Sequence, residues 1–145
     1  MSVVIRKMLE KDRAEVLGMM EVFYNSPAVY TSGSAEIFEK DFDACIGDCP
    51  YLEGYVFEEE LNILGYAMLA KSFSTEFGKE CIWIEDIYLK ECSRGKGAGK
   101  MFFKYIDEKY PMCIKRLEVE KENEGAVHLY KKTGFTELPY MEMKK

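Results

Sequence analysis

The stretch Arg94-Gly95-Lys96-Gly97-Ala98-Gly99 sits between two segments of opposite character. Before it, Ile82-Trp83-Ile84-Glu85-Asp86-Ile87-Tyr88-Leu89 is rich in β-branched and aromatic residues and short enough to be a largely buried strand. After it, Ala98, Met101, Phe102, Tyr105 and Ile106 recur at helical spacing, which predicts a helix with one face on a sheet. Strand, glycine turn and helix therefore follow one another in the chain. A helix start carries unpaired N–H donors and a partial positive charge, and residues without Cβ let a phosphate come close. Such a turn suits a diphosphate, with Arg94 adding a forked contact, although glycines in this pattern also serve as a plain solvated turn.

Two better-known phosphate loops do not match. The dinucleotide fingerprint needs a third glycine three positions after its second, where this chain has Lys100 or Phe102. The nucleoside-triphosphate loop needs four residues before its Gly-Lys. Here only three separate Gly95 from Gly99-Lys100, and Met101 stands in place of the magnesium-binding hydroxyl. Charge separates the phosphate reading from the plain turn. From Lys90 to Lys104 there are five cations (Lys90, Arg94, Lys96, Lys100, Lys104) and one anion (Glu91), in a chain of net charge −6. Positive charge is concentrated at the glycines, as a polyanionic ligand requires.

These residues resemble a known motif. Arg-x-x-Gly-x-Gly after such a strand is similar to the pyrophosphate-binding motif of the GNAT superfamily of acetyl-CoA-dependent N-acetyltransferases. The segment from Asn123 through Leu129-Tyr130 to Gly134-Phe135 resembles that family's second signature, an Asn opening a helix that ends Leu-Tyr, then Gly-Phe. Read from the residues alone, Asn123 is a good N-cap, Ala126, Leu129, Tyr130 and Thr133 share one face, and Gly134 stops the helix. Tyr130 thus points inward, as core tyrosines do. The resemblance gives it a role as the proton donor to the departing thiolate.

From Gly65 to Gly99 the resemblance narrows. Gly65-Tyr66-Ala67, Phe73-Ser74-Thr75, Gly78-Lys79 and Ile84-Glu85-Asp86-Ile87-Tyr88 look like the spermidine/spermine and thialysine acetyltransferases. In that subgroup the matching glutamate helps take a proton from the attacking amine through water, which implies this role for Glu85. An alkyl amine is mostly ammonium at neutral pH and must lose a proton before it attacks a thioester. Strand alternation, allowing for a bulge, places Glu85, Ile87 and Leu89 on one side and Trp83, Asp86 and Tyr88 off it. Both acids face the same cleft only if the strand bulges. Asp86 is also open to a structural role. Glu76 and Cys92-Ser93 depart from the subgroup's pattern.

The resemblance implies an α/β (α+β) GNAT fold, a mixed, mostly antiparallel sheet of six or seven strands flanked by four helices. The pattern predicts strands Val3–Leu9, Tyr51–Glu58, Ile63–Phe73, Lys79–Leu89 and Cys113–Glu120, and a closing strand from about Tyr140 to Lys144. It predicts helices Asp12–Asn25 and Ser34–Ile46 ahead of the two motifs. Asp12 with Glu15 reads as a capping box, and Val16, Leu17, Met20, Phe23 and Tyr24 as the first helix's buried stripe. Length and a 48% hydrophobic content predict one domain over residues 1–145 with a substantial core.

The negative charge argues against nonspecific nucleic-acid binding and suits a cationic substrate. With neither a leader-like nor a membrane-spanning apolar stretch, neither export nor a membrane partner is expected. Five cysteines without a Cys-x-x-Cys pair read as reduced thiols, consistent with a cytoplasmic protein. One histidine, His128, makes a zinc site unexpected, and no metal is called for.

The resemblance then implies an enzyme that moves an acetyl group from acetyl-CoA, as cosubstrate, directly to a primary amine of a small cationic acceptor such as a polyamine, diamine or lysine-like amino acid. Glu85 and Tyr130 are the catalytic pair. Arg94, Gly95, Lys96, Gly97, Ala98, Gly99 and Lys100 hold the diphosphate, Ile87, Tyr88 and Leu89 offer strand backbone to the pantetheine arm, and Asn123 completes the cofactor set. Tyr24, Tyr30, Glu85 and Asp86 border the acceptor. A peptide acetyltransferase and a noncatalytic CoA sensor are the competing readings. A homodimer is common in the superfamily, and nothing in the sequence decides it.

Overall fold

The computed structural model describes residues 2–145. Its sheet contains β1 (Val4–Lys7), β2 (Leu52–Glu59), β3 (Asn62–Ser74), β4 (Lys79–Leu89) and β5 (Ile114–Leu117), adjacent in that order. The first four pair antiparallel, whereas β5 runs parallel to β4. That change of direction requires a crossover, which α3 (Ala98–Lys109) supplies. The other helices are α1 (Arg13–Tyr24), α2 (Ala35–Ile46) and α4 (Glu124–Lys132).

Alternation along β2 and β3 sorts side chains to the two faces of the sheet. Tyr55, Phe57, Ala67 and Leu69 meet Phe102, Phe103 and Ile106 of α3, with Leu129 and Tyr130 of α4 at the margin. Val56, Tyr66 and Met68 meet Val16, Met19 and Met20 of α1 and Phe38 and Phe42 of α2. The result is a helix–sheet–helix sandwich with two apolar layers. Each layer borders a buried acid held by tyrosines. Glu53 accepts from the hydroxyls of Tyr55 at 3.0 Å and Tyr110 at 2.5 Å. Asp86 accepts from Tyr24 and Tyr66.

Four expectations are corrected. The described sheet has five strands, not six or seven, because residues from Phe135 onward take no regular structure. The apolar residues of the expected closing strand, Met141 and Met143, are each 84% exposed. Pro139 lacks an N–H, Tyr140 is drawn to Glu76 by a 2.5 Å hydrogen bond, and β5 offers an edge of only four residues. Asp12 does not cap α1. Its carboxylate turns back to accept from the N–H of Leu9 at 2.8 Å and from both terminal nitrogens of Arg6 at 2.8 and 2.9 Å. In α1, Met19 is buried, whereas Leu17 is only partly so. In α3, Phe103 is buried and Met101 is not. The core reaches further round both helices than a narrow stripe.

Candidate active site

The parallel ladder of β4 and β5 matches Cys81 with Ile114 and ends with Ile84 opposite Leu117. Beyond that point β4 continues to Leu89 with a partner on its β3 side only. The strands part there, and backbone groups on the β5 side of Glu85 to Leu89 are available to something other than a strand. Gly65 of β3 permits the approach on the opposite side, since a Cβ there would collide with the carbonyl of Tyr88. Ile87, Tyr88 and Leu89 all lie in this one-sided stretch.

The chain leaves β4 through a single 3-10 turn, Glu91–Ser93, and reaches α3 through the glycines. Gly95 and Gly97 have φ of 80° and 82°, the left-handed region that penalises any Cβ, and a Cβ on either would project into open space. The N–H groups of Gly95, Lys96, Gly97, Ala98, Gly99 and Lys100 find no hydrogen-bond acceptor among the described residues. The first paired amide is that of Met101, to the carbonyl of Gly97. Six consecutive free donors at a positive helix end form an anion cradle. Lys96 and Lys100 are exposed and in no ion pair among the described residues, while Lys90 is paired with Glu15 at 2.6 Å. Arg94 donates through Nε to the carbonyl of Leu89. The residues present thus fit a diphosphate-bearing ligand.

The opening turn of α3 is flanked by α4. A Cβ on Gly99 would lie 3.1 Å from Leu129 Cδ2, so a small residue here lets α4 sit against the cradle. Asn123 caps α4, accepting from the N–H of Ala126 at 3.3 Å, and Gly134 takes φ of 106° after its end. Tyr130 packs edge-on against Phe103 and Phe135, with centroids 5.6 and 6.0 Å away. It borders the same apolar cluster as Ile84 and Leu117, where the strands part. Its hydroxyl has no hydrogen-bond partner among the described residues, and burial pushes its pKa up to about 12. The phenol is therefore protonated throughout the neutral range.

On the other side of the gap, β4 bulges. Met68 lies opposite Asp86 and Leu69 opposite Ile84, so Glu85 is an extra residue without a partner on β3. Glu85 is solvent-accessible, while Asp86 is 3% exposed, with Tyr24 Oη 2.7 Å from one carboxylate oxygen and Tyr66 Oη 2.8 Å from the other. The expectation that Asp86 meets an acceptor directly gives way here, because a sealed carboxylate engaged at both oxygens presents nothing to solvent. Partial burial raises the pKa of Glu85, and the charges of Asp86 and Glu142 raise it further. Burial and the charges of Asp86 and Glu85 lift Asp41 of α2 to about 6. Glu118, raised by its interaction with Glu142 and by burial, is lifted to about 7. Among the described residues none of Asp41, Glu85, Asp86, Glu118 and Glu142 is in an ion pair.

Tyr24 is turned into this region, but Tyr30 is 90% exposed in the loop between α1 and α2 and touches none of it. Sequence reasoning missed Asp41 and Tyr66. Asp41 carried a signal, an acid flanked by Phe38 and Phe42 on the buried side of its helix. Tyr66 carried none, since its partner is 20 positions away. No group of His, Cys, Asp and Glu among the described residues is arranged to hold a metal ion. No helix among them is long and apolar enough to cross a membrane.

Comparison with known proteins agrees with this geometry. Residues 10–135 match the model of the acetyltransferase (GNAT) family. A protein from Clostridium difficile 630 described as a possible acetyltransferase superposes with a TM-score of 0.83 at 20% identity, over 99% of this chain and 96% of its own. The ribosomal-protein-alanine N-acetyltransferase of Brucella melitensis biovar Abortus 2308 gives 0.80 at 16% identity, over 100% and 99%. The aminoglycoside N-acetyltransferase AAC(6')-Iy in complex with CoA gives 0.79 at 13%, over 99% and 94%. At such identities the likeness is one of fold. A sequence search of curated proteins returns no match.

Proposed function

The chain belongs to the acetyltransferase (GNAT) family, whose members draw on acetyl-CoA, and from that premise we propose that it acetylates a primary amine of a small cationic acceptor. The observation that carries the acceptor class is the set of carboxylates around Glu85, which no cation of the described residues neutralises. Uncompensated acids raise one another's pKa, and a polyamine, diamine or lysine-like amino acid relieves that repulsion on binding.

In this reading the amides from Gly95 to Lys100 hold the diphosphate, with Arg94 and the side chains of Lys96 and Lys100 adding charge. The backbone of Ile87, Tyr88 and Leu89 lines the pantetheine arm, with the Leu89 carbonyl held by Arg94 and that of Tyr88 turned toward Gly65, and Asn123, whose Oδ1 is engaged by its own helix, keeps its amide nitrogen for the ligand. Acetyl-CoA supplies an acyl group on a good thiol leaving group. Glu85, on its bulge, accepts the ammonium proton through water, and its raised pKa brings it closer to the amine's. The free amine attacks directly. Tyr130 holds a proton on Oη and gives it to the departing sulfur. A cytoplasmic setting and a homodimer belong to the same proposal.

The reading is tested by incubating the chain with acetyl-CoA and a pooled panel of polyamines, diamines, amino acids and short peptides, with products read by mass spectrometry. An acetylated polyamine, diamine or lysine-like product is expected. A peptide product moves the acceptor to a protein terminus or side chain, and tight CoA binding without any product favours a sensor or an acceptor outside the panel.

A further inference from the structure

Asp86 is a buried charge that takes no direct part in the proposed reaction. We propose that Asp86 is a positioning residue for Glu85: gripped by Tyr24 and Tyr66, it holds the β4 bulge that turns the Glu85 carboxylate out of the sheet. The inference rests on the reading of Glu85 as proton acceptor.

A bulge inserts one residue opposite a neighbouring strand, kinks the chain and re-aims a side chain. Here the inserted residue is Glu85, and the next residue, Asp86, is tied down at both oxygens. The two donors come from different layers, Tyr24 from α1 and Tyr66 from the neighbouring strand β3. Both rings are themselves fixed by aromatic packing. Phe23 meets Tyr24 edge-on at 5.2 Å and Tyr66 at 6.4 Å, Tyr24 lies 5.3 Å from Phe38, and Tyr66 lies 6.2 Å from Tyr88. The carboxylate thus fastens the bulge to α1 and β3 at once.

Stability alone gives no reason for this arrangement. A carboxylate 3% exposed carries a desolvation cost that two neutral hydroxyl donors offset only in part, and an apolar residue would close the same layer without it. Its charge, however, lies next to Glu85 and makes that group harder to ionise. The other groups facing Glu85 act in the same sense. They are Asp41 from α2, Glu118 after β5 and Glu142 from the C-terminal segment, with the neutral phenol of Tyr24 from α1. Asp86 alone among them is held by a double hydrogen bond.

Two measurements on the full chain decide the matter. With the glutamate carboxyl carbons labelled, the Glu85 resonance is the one absent from Glu85→Gln, and its titration is followed by NMR. Asp86→Asn keeps the shape and two polar contacts but removes the charge, so the Glu85 midpoint falls by about half to one pH unit. Turnover with acetyl-CoA and the pooled amines is then measured in the Tyr24→Phe/Tyr66→Phe double variant, which keeps the charge but releases the grip. Its kcat falls about tenfold or more, as misplacement of a reacting group does, while KM for acetyl-CoA is unchanged. An unmoved midpoint in Asp86→Asn, or a full kcat in the double variant, overturns the inference. Full turnover in Glu85→Gln overturns instead the reading of Glu85 beneath it.

Discussion

Arg94 donates a 3.0 Å hydrogen bond from Nε to the carbonyl of Leu89, with its guanidinium carbon 5.7 Å from the centre of the Tyr88 ring. The side chain thereby folds back over the end of β4, and its two terminal nitrogens stay free beside the six unpaired amides of the glycine turn. Arg94→Ala should weaken acetyl-CoA binding about tenfold, or about 1.4 kcal/mol, with kcat at saturation little changed. Titration calorimetry reads the affinity directly, and an unaltered Kd would remove Arg94 from the cradle.

Removing the carboxylate in Glu85→Gln should lower kcat/KM by roughly a hundred-fold to ten-thousand-fold. The pH profile gives the sign. A proton acceptor works when ionised, and the Glu85 pKa is raised above the ordinary 4.5 by burial and by its acidic neighbours. Activity of the unaltered chain should therefore rise with pH through a midpoint above that value, and Glu85→Gln should lose this limb. A limb that survives the substitution belongs to another group.

Tyr130→Phe keeps the edge-on packing against Phe103 and Phe135 and deletes only the hydroxyl. The expected result is a fall in kcat of about a hundred-fold with acetyl-CoA affinity retained. Because burial holds the phenol protonated up to about pH 12, its ionisation should cause no loss of activity across the neutral range. Equal kcat in the two proteins would return Tyr130 to the core.

Asp12 is 4% exposed and ties Arg6 on β1 to the N–H of Leu9 ahead of α1. Asp12→Ala should cost about 1–2 kcal/mol in urea denaturation, because it leaves the Leu9 N–H without an acceptor and takes one of two carboxylates from Arg6, which keeps Glu58 at 3.0 Å. Burial by itself would raise this carboxyl's pKa, but the hydrogen bonds from Arg6 and Leu9 outweigh it and hold the pKa below the ordinary 3.8. A lowered folded-state pKa stabilises above the unfolded value and is lost as pH falls through the folded one. The stability difference between the two proteins should be full at pH 7 and shrink on acidification below about pH 4.

Features that depend on residues close in sequence are legible in the chain itself. The bounds of β4 match the expected Lys79–Leu89, and α3 begins at Ala98 directly after the glycines. Asn123 caps α4 and Gly134 follows its end, since capping and left-handed backbone are settled within a turn of helix. Asp12 departs from its expected role for the opposite reason. Its spacing to Glu15 fits a capping box, but Arg6 and the N–H of Leu9 lie within reach and together hold the carboxylate away from the start of α1. The closing strand does not form because alternation specifies a strand only where an edge and an apolar layer await it, and Met141 and Met143 find neither.

Local chemistry in the chain thus determined the strand–glycine–helix unit, its positive charge and the capped helix bearing Tyr130. Each rests on backbone sterics, side-chain periodicity and charge within a few residues. Tertiary structure alone decided that β4 and β5 part after Ile84 and Leu117, that Glu85 is the bulged residue, and that Asp86 is sealed by hydroxyls 62 and 20 positions away. Those outcomes turn on which distant groups can satisfy a buried carboxylate or an unpaired strand edge, and that depends on how the layers pack.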